Sequence, residues 1–328
     1  MAKIGITMGD CAGIGPEIIL KALKSEDLKT GDEFIIYGEK KIFQQVSDML
    51  NIFPGGIDHI KFVDLNVITR PLEFGIIDPE YGRAAGDYIK QAITDALEHK
   101  VDAITTGPIH KKSFQLGGYG EKYPGHTEML ASLTNTKDYT MMLAYKNLRV
   151  IHATIHVPLK KAVEMINREC VYRAISMGYK TCARMKIKNP RIAVAGLNPH
   201  AGDSGLFGDE EINEIEPAVK QAQQELDCLI DGPISPDTVF AKAYGGMYDM
   251  VIAMYHDQGH IPMKTLGFKY NHKEGNWDEV RGVNVTLGLP FIRSAVDHGT
   301  AFGKAGKGTA SAESMVDAIQ YALLFANE

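Results

Sequence analysis

The chain has 328 residues, 45% hydrophobic and 23% charged, which is ordinary globular composition with enough apolar surface for about two cores and none of the bias of a disordered chain. Its formal net charge is −6, and no Lys/Arg run is long enough to leave an electrostatic footprint for nucleic acid. No stretch approaches the roughly 20 apolar residues that span a bilayer. The N-terminal MAKIGITMGD lacks a signal-peptide core, and Cys11, Cys170, Cys182 and Cys228 show no CxxC spacing, so a cytoplasmic protein with reduced thiols is expected.

In chain order, β-branched runs predict strands at 3–8 (KIGITM), 33–38 (EFIIYG), 101–106 (VDAITT), 148–155 (LRVIHATI), 191–197 (RIAVAGL) and 248–254 (YDMVIAM). Amphipathic stretches lie between them; 84–100 sets Ile89, Ala92, Ile93 and Leu97 at helical spacing. This alternation predicts an α/β fold. Polar loops follow the strands: Gly9 to Glu17, Gly107-Pro108-Ile109-His110-Lys111, His156-Val157-Pro158, Asn198-Pro199-His200-Ala201-Gly202 and Tyr255-His256-Asp257-Gln258-Gly259. Ligands of open α/β sheets bind at the carboxyl ends of strands, so one composite site is expected at these loops.

His156, His200 and His256 each follow a predicted strand. Three imidazoles from separate loops suit a divalent cation with open positions for a substrate hydroxyl and carboxylate, although each alone reads equally as a capping or core histidine. In Tyr123-Pro124-Gly125-His126-Thr127-Glu128, the chain reads as a loop opening a helix, with Thr127 as its cap or, alternatively, an anion at its start. Lys264, Asn284 and Arg293 supply fixed positive charge and amide donors of the kind a phosphorylated acid needs. The N-terminal Gly13-x-Gly15 lacks the full G-x-G-x-x-G spacing of a dinucleotide fingerprint. The Gly-rich run from Asp297 to Gly308 offers close backbone approach to a nucleotide or, on glycine count alone, a surface turn.

Together the stretches TMGDCAGIGPEI (7–18), TTGPIHK (105–111), GHTEML (125–130), HVPL (156–159), GLNPHAGDSGLFGDEE (196–211), PDTVF (236–240), YHDQGHIPMK (255–264) and VNVTLGLPFIR (283–293) resemble the 4-hydroxythreonine-4-phosphate dehydrogenase family over essentially the whole chain. The resemblance implies a two-domain α/β fold like that of isopropylmalate and isocitrate dehydrogenases, with the active site in the interdomain cleft. The domains expected are 1–127 with 300–328, and 128–299, the latter carrying metal ligands and the dimer interface. It implies His156, His200 and His256 as metal ligands (Zn, Mg, Mn or Co) at a site shared by a homodimer. It also implies His126, Thr127, Lys264, Asn284 and Arg293 as substrate contacts, and an adenosine loop at 298–308, with Gly288, Asp297, His298, Gly299, Thr300 and Ala301 around the cofactor.

The implied reaction is oxidation of a C3 hydroxyl on a 4-phosphorylated four-carbon acid, hydride passing to NAD, followed by decarboxylation. Asp257 and Asp237 are the base candidates, or else orient ligand histidines. Gly303 stands where relatives carry an acidic residue for the ribose and Lys304 follows it, which leaves NADP open. Cys11 replaces a usual proline, and 269–281 is longer than the family's connection, either a surface excursion or a change to the pocket. Two substrates compete, 4-phosphohydroxy-L-threonine for pyridoxal phosphate synthesis and D-threonate or D-erythronate 4-phosphate; SGLFGDEE and QGHIPMK lean toward the sugar acids. The readings from other classes are a non-catalytic metabolite binder and a hydroxy-acid dehydrogenase indifferent to phosphate.

Overall fold

The computed structural model describes the chain apart from residues 29–30, 274–275 and 327–328. Its strands are β1 (Lys3–Thr7), β2 (Glu33–Gly38), β3 (Lys61–Asp64), β4 (Ala103–Thr106), β5 (Thr140–Tyr145), β6 (Leu148–His152) and β7 (Arg191–Ala195). They continue as β8 (Leu229–Ile234), β9 (Met250–Ala253), β10 (Phe268–Asn271), β11 (Asn276–Val280), β12 (Val283–Leu287) and β13 (Ile292–Val296). The helices are α1 (Gly15–Leu23), α2 (Lys40–Leu50), α3 (Pro79–Leu97), α4 (Lys111–Leu116), α5 (His126–Leu133) and α6 (Leu159–Met165). After these come α7 (Arg168–Arg184), α8 (Glu216–Glu225), α9 (Pro236–Tyr244), α10 (His256–Gly267) and α11 (Glu313–Ala326). Among the described residues no helix is long and apolar enough to cross a membrane.

Two compact units form, one of Met1–Tyr139 with Glu279–Glu328 and one of Thr140–Asp278. Residues 128–139 and 279–299, expected in the second domain, therefore belong to the first. The cause is strand pairing: β13 lies parallel to β4 and β12 antiparallel to β13, while α5 packs on α3.

In the first unit the strand order is β3-β2-β1-β4-β13-β12, parallel except for β12. The interior strand β4 (AITT) is buried along its whole length, as expected of a parallel strand covered on both faces. Helix α3 begins at Pro79 rather than 84, because Asp78 caps it by accepting from the Glu80 and Tyr81 amides with proline in the first turn. Gly82 is needed where α4 crosses: a Cβ there would lie 1.9 Å from the Ser113 carbonyl oxygen.

In the second unit the order is β5-β6-β9-β7-β8, parallel except for β5 on β6. Leu143, Leu148, Val150, Val239, Val251 and Met263 are buried in its core. The 269–281 insertion pairs as the hairpin β10–β11, where the exposed Tyr270 and Trp277 meet edge to face at 5.2 Å. Its middle residues, 274–275, lie outside the described residues.

The Gly-x-Gly after β1 serves packing. A Cβ on Gly13 would sit 2.8 Å from the Thr300 carbonyl oxygen, and one on Gly15 2.2 Å from that of Met8. Helix α1 is tied to the same later segment: Glu17 Oε1 accepts from the Ala310 amide (2.9 Å), and Lys21 Nζ donates to Glu17 and to the carbonyls of Gly308 and Ala310 at 2.7–2.8 Å.

Asp10 leaves β1 through Gly9, whose φ of +75° and Cβ position, 2.3 Å from the Pro108 carbonyl oxygen, exclude any side chain. The Asp10 carboxyl is fully buried and accepts from the Ala12 amide at 3.0 Å. Burial pushes its pKa up to about 6, against the pull of the Ala12 amide and the Ser113 hydroxyl. The unfolded chain loses this proton near the ordinary carboxyl value of about 3.9, so the native state holds it more tightly and stability falls as pH rises from about 4 past 6. Asp10→Asn is therefore expected to gain stability over the parent at pH 8, on the order of 3 kcal/mol by the size of that shift, and to lose the advantage near pH 4. Urea unfolding of both proteins across this range checks it; a difference that does not vary with pH would show that Asp10 is not the group responsible.

Candidate active site

The end of β4 organises a pocket around a buried arginine in the first unit. Arg293 on β13 is 4% exposed, and its guanidinium donates from Nε (3.0 Å) and Nη2 (2.6 Å) to Thr106 Oγ1 and from Nη1 (3.2 Å) to Thr286 Oγ1. Burial pushes its pKa down to about 10, with Glu128 acting in the other direction through space, so it is charged at neutral pH. The hydroxyl partners are neutral, and a buried cation so placed is stabilised by an anion beside it. His126 is held neutral by burial first and by Arg293 second, and its Nε2 has no hydrogen-bond partner among the described residues. Thr106, Lys111, His126, Arg293, His298 and Gly299 are among the residues lining a pocket of about 220 Å³ here.

Helix α5 starts at His126 with Gly125 as its N-cap and no side-chain cap, so Thr127 is a buried first-turn residue and not the cap. The N-cap, a glycine, offers no side-chain oxygen to the first-turn amides, and the positive end of the helix dipole suits an anionic ligand at its start. Asn284 lies on β12 opposite Ala295 of β13.

The Gly-rich run 297–308 is a succession of turns in the same unit, with Lys304 N donating to Ala301 O, Ala305 N to Phe302 O and Lys307 N to Lys304 O. Thr300 is buried and its carbonyl accepts from the Ile14 amide. Ala301 has a φ of +43°, while Gly299 and Gly303 have open space where a Cβ would stand, so backbone is accessible to a nucleotide. His298 Nδ1 lies 3.0 Å from the Gly299 carbonyl oxygen, and Asp297 lies beside Gly282. His110 caps α4 through Nδ1 and stacks on Phe302 at 4.6 Å between ring centroids. Gly288 has a packing explanation: φ is +95° and a Cβ would fall 2.2 Å from the Asp138 carbonyl oxygen.

The second unit holds the three histidines and Lys264, whose Nζ lies 4.7 Å from the centroid of the Phe268 ring. The rings of His156 and His256 are 5.6 Å apart. Two imidazoles on one tetrahedral ion, each bound at about 2.0–2.1 Å, have ring centres on the order of 5 Å apart, so this pair fits a shared cation. His256 Nδ1–H donates to Asp257 Oδ1 at 2.8 Å, which leaves Nε2 for a ligand bond. His260 stacks on His256 at 3.6 Å, and fully buried His152 lies behind them with its pKa pushed down to about 3 by burial. His200 does not complete a triad within one chain, since no group of three His, Cys, Asp or Glu gathers for a metal among the described residues. Its imidazole acts electrostatically on Asp237, an exposed carboxylate held below its usual range chiefly by the Ser235 hydroxyl.

His200 begins a run of five residues in the left-handed region, His200 to Ser204, with φ between +43° and +79°. For each non-glycine residue that conformation costs roughly 1–2 kcal/mol, so the run is maintained by its surroundings. Gln258 links the two histidine loops, accepting from the Met254 amide (2.6 Å) and donating to the Gly196 carbonyl (2.7 Å).

Thr106, Thr286 and Glu211 were not singled out in the sequence, and Lys111, His110, Gln258 and Asn198 were named there only as part of polar loops. The first two have a partial signal in the Thr-Thr ending of β4 and the alternation of β12; the others gain meaning from partners distant in sequence.

A family model described as "Pyridoxal phosphate biosynthetic protein PdxA" matches residues 30–322. The D-threonate 4-phosphate dehydrogenase of Pectobacterium atrosepticum is 44% identical, covering 99% of this chain and 100% of its own. The crystal structure of 4-hydroxythreonine-4-phosphate dehydrogenase from Klebsiella pneumoniae matches with a TM-score of 0.83 at 41% identity, covering 100% of this chain and 98% of that one. At the level of fold alone, isocitrate dehydrogenase from Methylococcus capsulatus matches with a TM-score of 0.51 at 15% identity over 98% of this chain and 85% of that one. The α/β architecture, with its likeness to isocitrate dehydrogenase, is the one expected from the motifs, and the chain belongs to the PdxA family.

Proposed function

We propose that this protein is a dehydrogenase that oxidises the C3 hydroxyl of D-threonate 4-phosphate, with decarboxylation of the resulting keto acid, using a divalent cation and NAD in a cytoplasmic homodimer. The observation that carries the reading is the buried, charged Arg293, whose hydrogen bonds go to hydroxyls in a pocket that also holds Lys111 and His126. A doubly charged phosphate beside such a group gains charge-assisted hydrogen bonds that a neutral sugar cannot. The His126 Nε2, the Thr127 hydroxyl and the first-turn amides of α5 complete its donors and acceptors. Lys264 and Asn284 are assigned to the carboxylate and hydroxyl end of the substrate.

When bound, the cation lowers the pKa of the hydroxyl and offsets the charge left by decarboxylation, and the dinucleotide accepts the hydride. His156 and His256 would hold the cation, and His200 of a second copy would supply the third imidazole; what supports this is the convergence of the first two within one chain and not of the third. Asp257 keeps the His256 ring turned with Nε2 outward. Asp237, with its lowered pKa, is a weak base at neutral pH and is assigned to orient His200. Asp297 to Ala301 would line the adenosine. Lys304 in a loop without a carboxylate at Gly303 leaves NADP acceptable.

A second reading, 4-phosphohydroxy-L-threonine as substrate, is favoured by the name of the Klebsiella structure. The two are separated by following reduction of NAD and NADP, and release of carbon dioxide, with D-threonate 4-phosphate, D-erythronate 4-phosphate, 4-phosphohydroxy-L-threonine and dephosphorylated D-threonate in the presence of Zn²⁺, Mn²⁺, Co²⁺ or Mg²⁺. Turnover confined to the phosphorylated sugar acids is expected. Equal turnover of dephosphorylated D-threonate would remove the role given to Arg293, and turnover of none would leave a binding protein on this scaffold.

Arg293→Lys keeps the charge but loses the planar fork, and is expected to lower kcat/KM for the phosphorylated substrate on the order of a hundredfold, a loss of about 3 kcal/mol from a charge-assisted pair. The decrease should be carried mainly by KM. An unchanged KM would place the phosphate elsewhere.

A further inference from the structure

The loop that carries His200 is built around one buried carboxylate. Glu211 is 1% exposed, and its Oε1 accepts from the backbone amides of Leu197 and Asn198, both at 2.7 Å. Its Oε2 accepts from Asn198 Nδ2 at 2.9 Å, and the same amide donates to Glu210 at 2.7 Å. Asn198 O in turn accepts from the Ala201 amide, and Gly202 O from that of Phe207. Three glycines give the space: a Cβ on Gly202 would fall 2.8 Å from Glu211 Oε2, one on Gly208 2.6 Å from Asn198 Nδ2, and one on Gly196 2.8 Å from Ala201 Cα. Glu211 itself opens a π-helical turn, Glu211–Ile215, that runs into α8, so its backbone is anchored to a regular element.

The left-handed run needs an outside restraint, because its residues are individually biased back toward ordinary conformations. The restraint acts on the two residues before Pro199, whose ring fixes its own φ. The direction in which His200 leaves the sheet is thus set by a chain from Glu211 through Asn198 and Pro199, with no contact between the carboxylate and the imidazole required.

We propose that Glu211 is a positioning residue for the cation-binding step: it holds the left-handed loop so that His200 is presented preformed to the ion. This rests on the reading of His200 as a ligand. A carboxamide at 211 would place an N–H against the Asn198 amide, converting an acceptor into a second donor, and would replace two charge-assisted bonds by weaker ones. A loop released in this way has to be reordered by the ion, and the cost shows as affinity.

The test titrates Co²⁺ into the full-length protein, followed by the visible absorption of the bound ion, for the parent, His200→Ala, Glu211→Gln and Asn198→Ala, with the thermal midpoint of each measured alongside. Glu211→Gln is expected to bind Co²⁺ about tenfold or more weakly, the usual effect of losing a group that orients a ligand, while staying folded at the titration temperature with a lowered thermal midpoint, since buried charge-assisted bonds are weakened, and with a smaller loss of affinity in Asn198→Ala. Its turnover should recover at high Co²⁺ while kcat stays near the parent's. If His200→Ala weakens Co²⁺ binding but Glu211→Gln and Asn198→Ala bind as the parent does, Glu211 does not position His200 and the inference falls. If His200→Ala itself binds Co²⁺ like the parent, it is the ligand reading that fails, and the inference with it. Should Glu211→Gln not fold, Asn198→Ala decides alone, and unchanged Co²⁺ affinity there overturns the inference.

Discussion

Everything in the first unit hangs from the pairing of β4 between β1 and β13. The register sets Thr106 opposite Thr7 on one side and Ala295 on the other, and Thr105 opposite Ile6 and Ser294. Because all these strands run the same way, their ends and loops emerge together. The Thr105 hydroxyl then meets that of Ser294 at 2.9 Å, Thr106 receives the Arg293 guanidinium, and the Pro108 carbonyl receives the Asp10 amide. A slip of one residue would turn every one of these side chains to the other face. Fixing the register fixes the buried cation.

The second unit solves a similar problem differently. Its strand ends are followed by loops whose geometry comes from a few buried polar groups, Gln258 between the β9 and β7 exits and Glu211 beneath the β7 exit. Each satisfies backbone amides or carbonyls that have left the sheet and have lost their ladder partners. Polar residues buried in this way are costly unless fully paired, and here the pairing converts that cost into geometry.

The α/β class and the places of the polar loops were legible because strand–loop–helix punctuation is local: β2 has its expected bounds, and His156, His200 and His256 all lie beyond strand ends. What was not legible depends on partners distant in sequence. The run 148–155 reads as one strand, yet β6 stops at His152, where Ala153 N turns to the Ala253 carbonyl. Gly13 and Gly15 resemble a phosphate loop but are glycines because Thr300 and Met8 press against them. Five left-handed residues in succession have no periodic signature, and the β12–β13 hairpin looked like part of the second domain until its pairing with β4 assigned it to the first.

That pairing also bears on how the chain is made. The second unit is one continuous stretch, complete once residue 278 has been synthesised, whereas the first is split by it. Until residues 292–296 emerge, β4 has β1 on one side and an unpaired edge on the other, and Lys21 has neither carbonyl of 308 nor 310 to bond. Of the two units, the one whose synthesis begins first is therefore finished last. During synthesis the nascent chain carries a strand with an open edge, which the four-residue length of β4 makes a poor template for wrong partners.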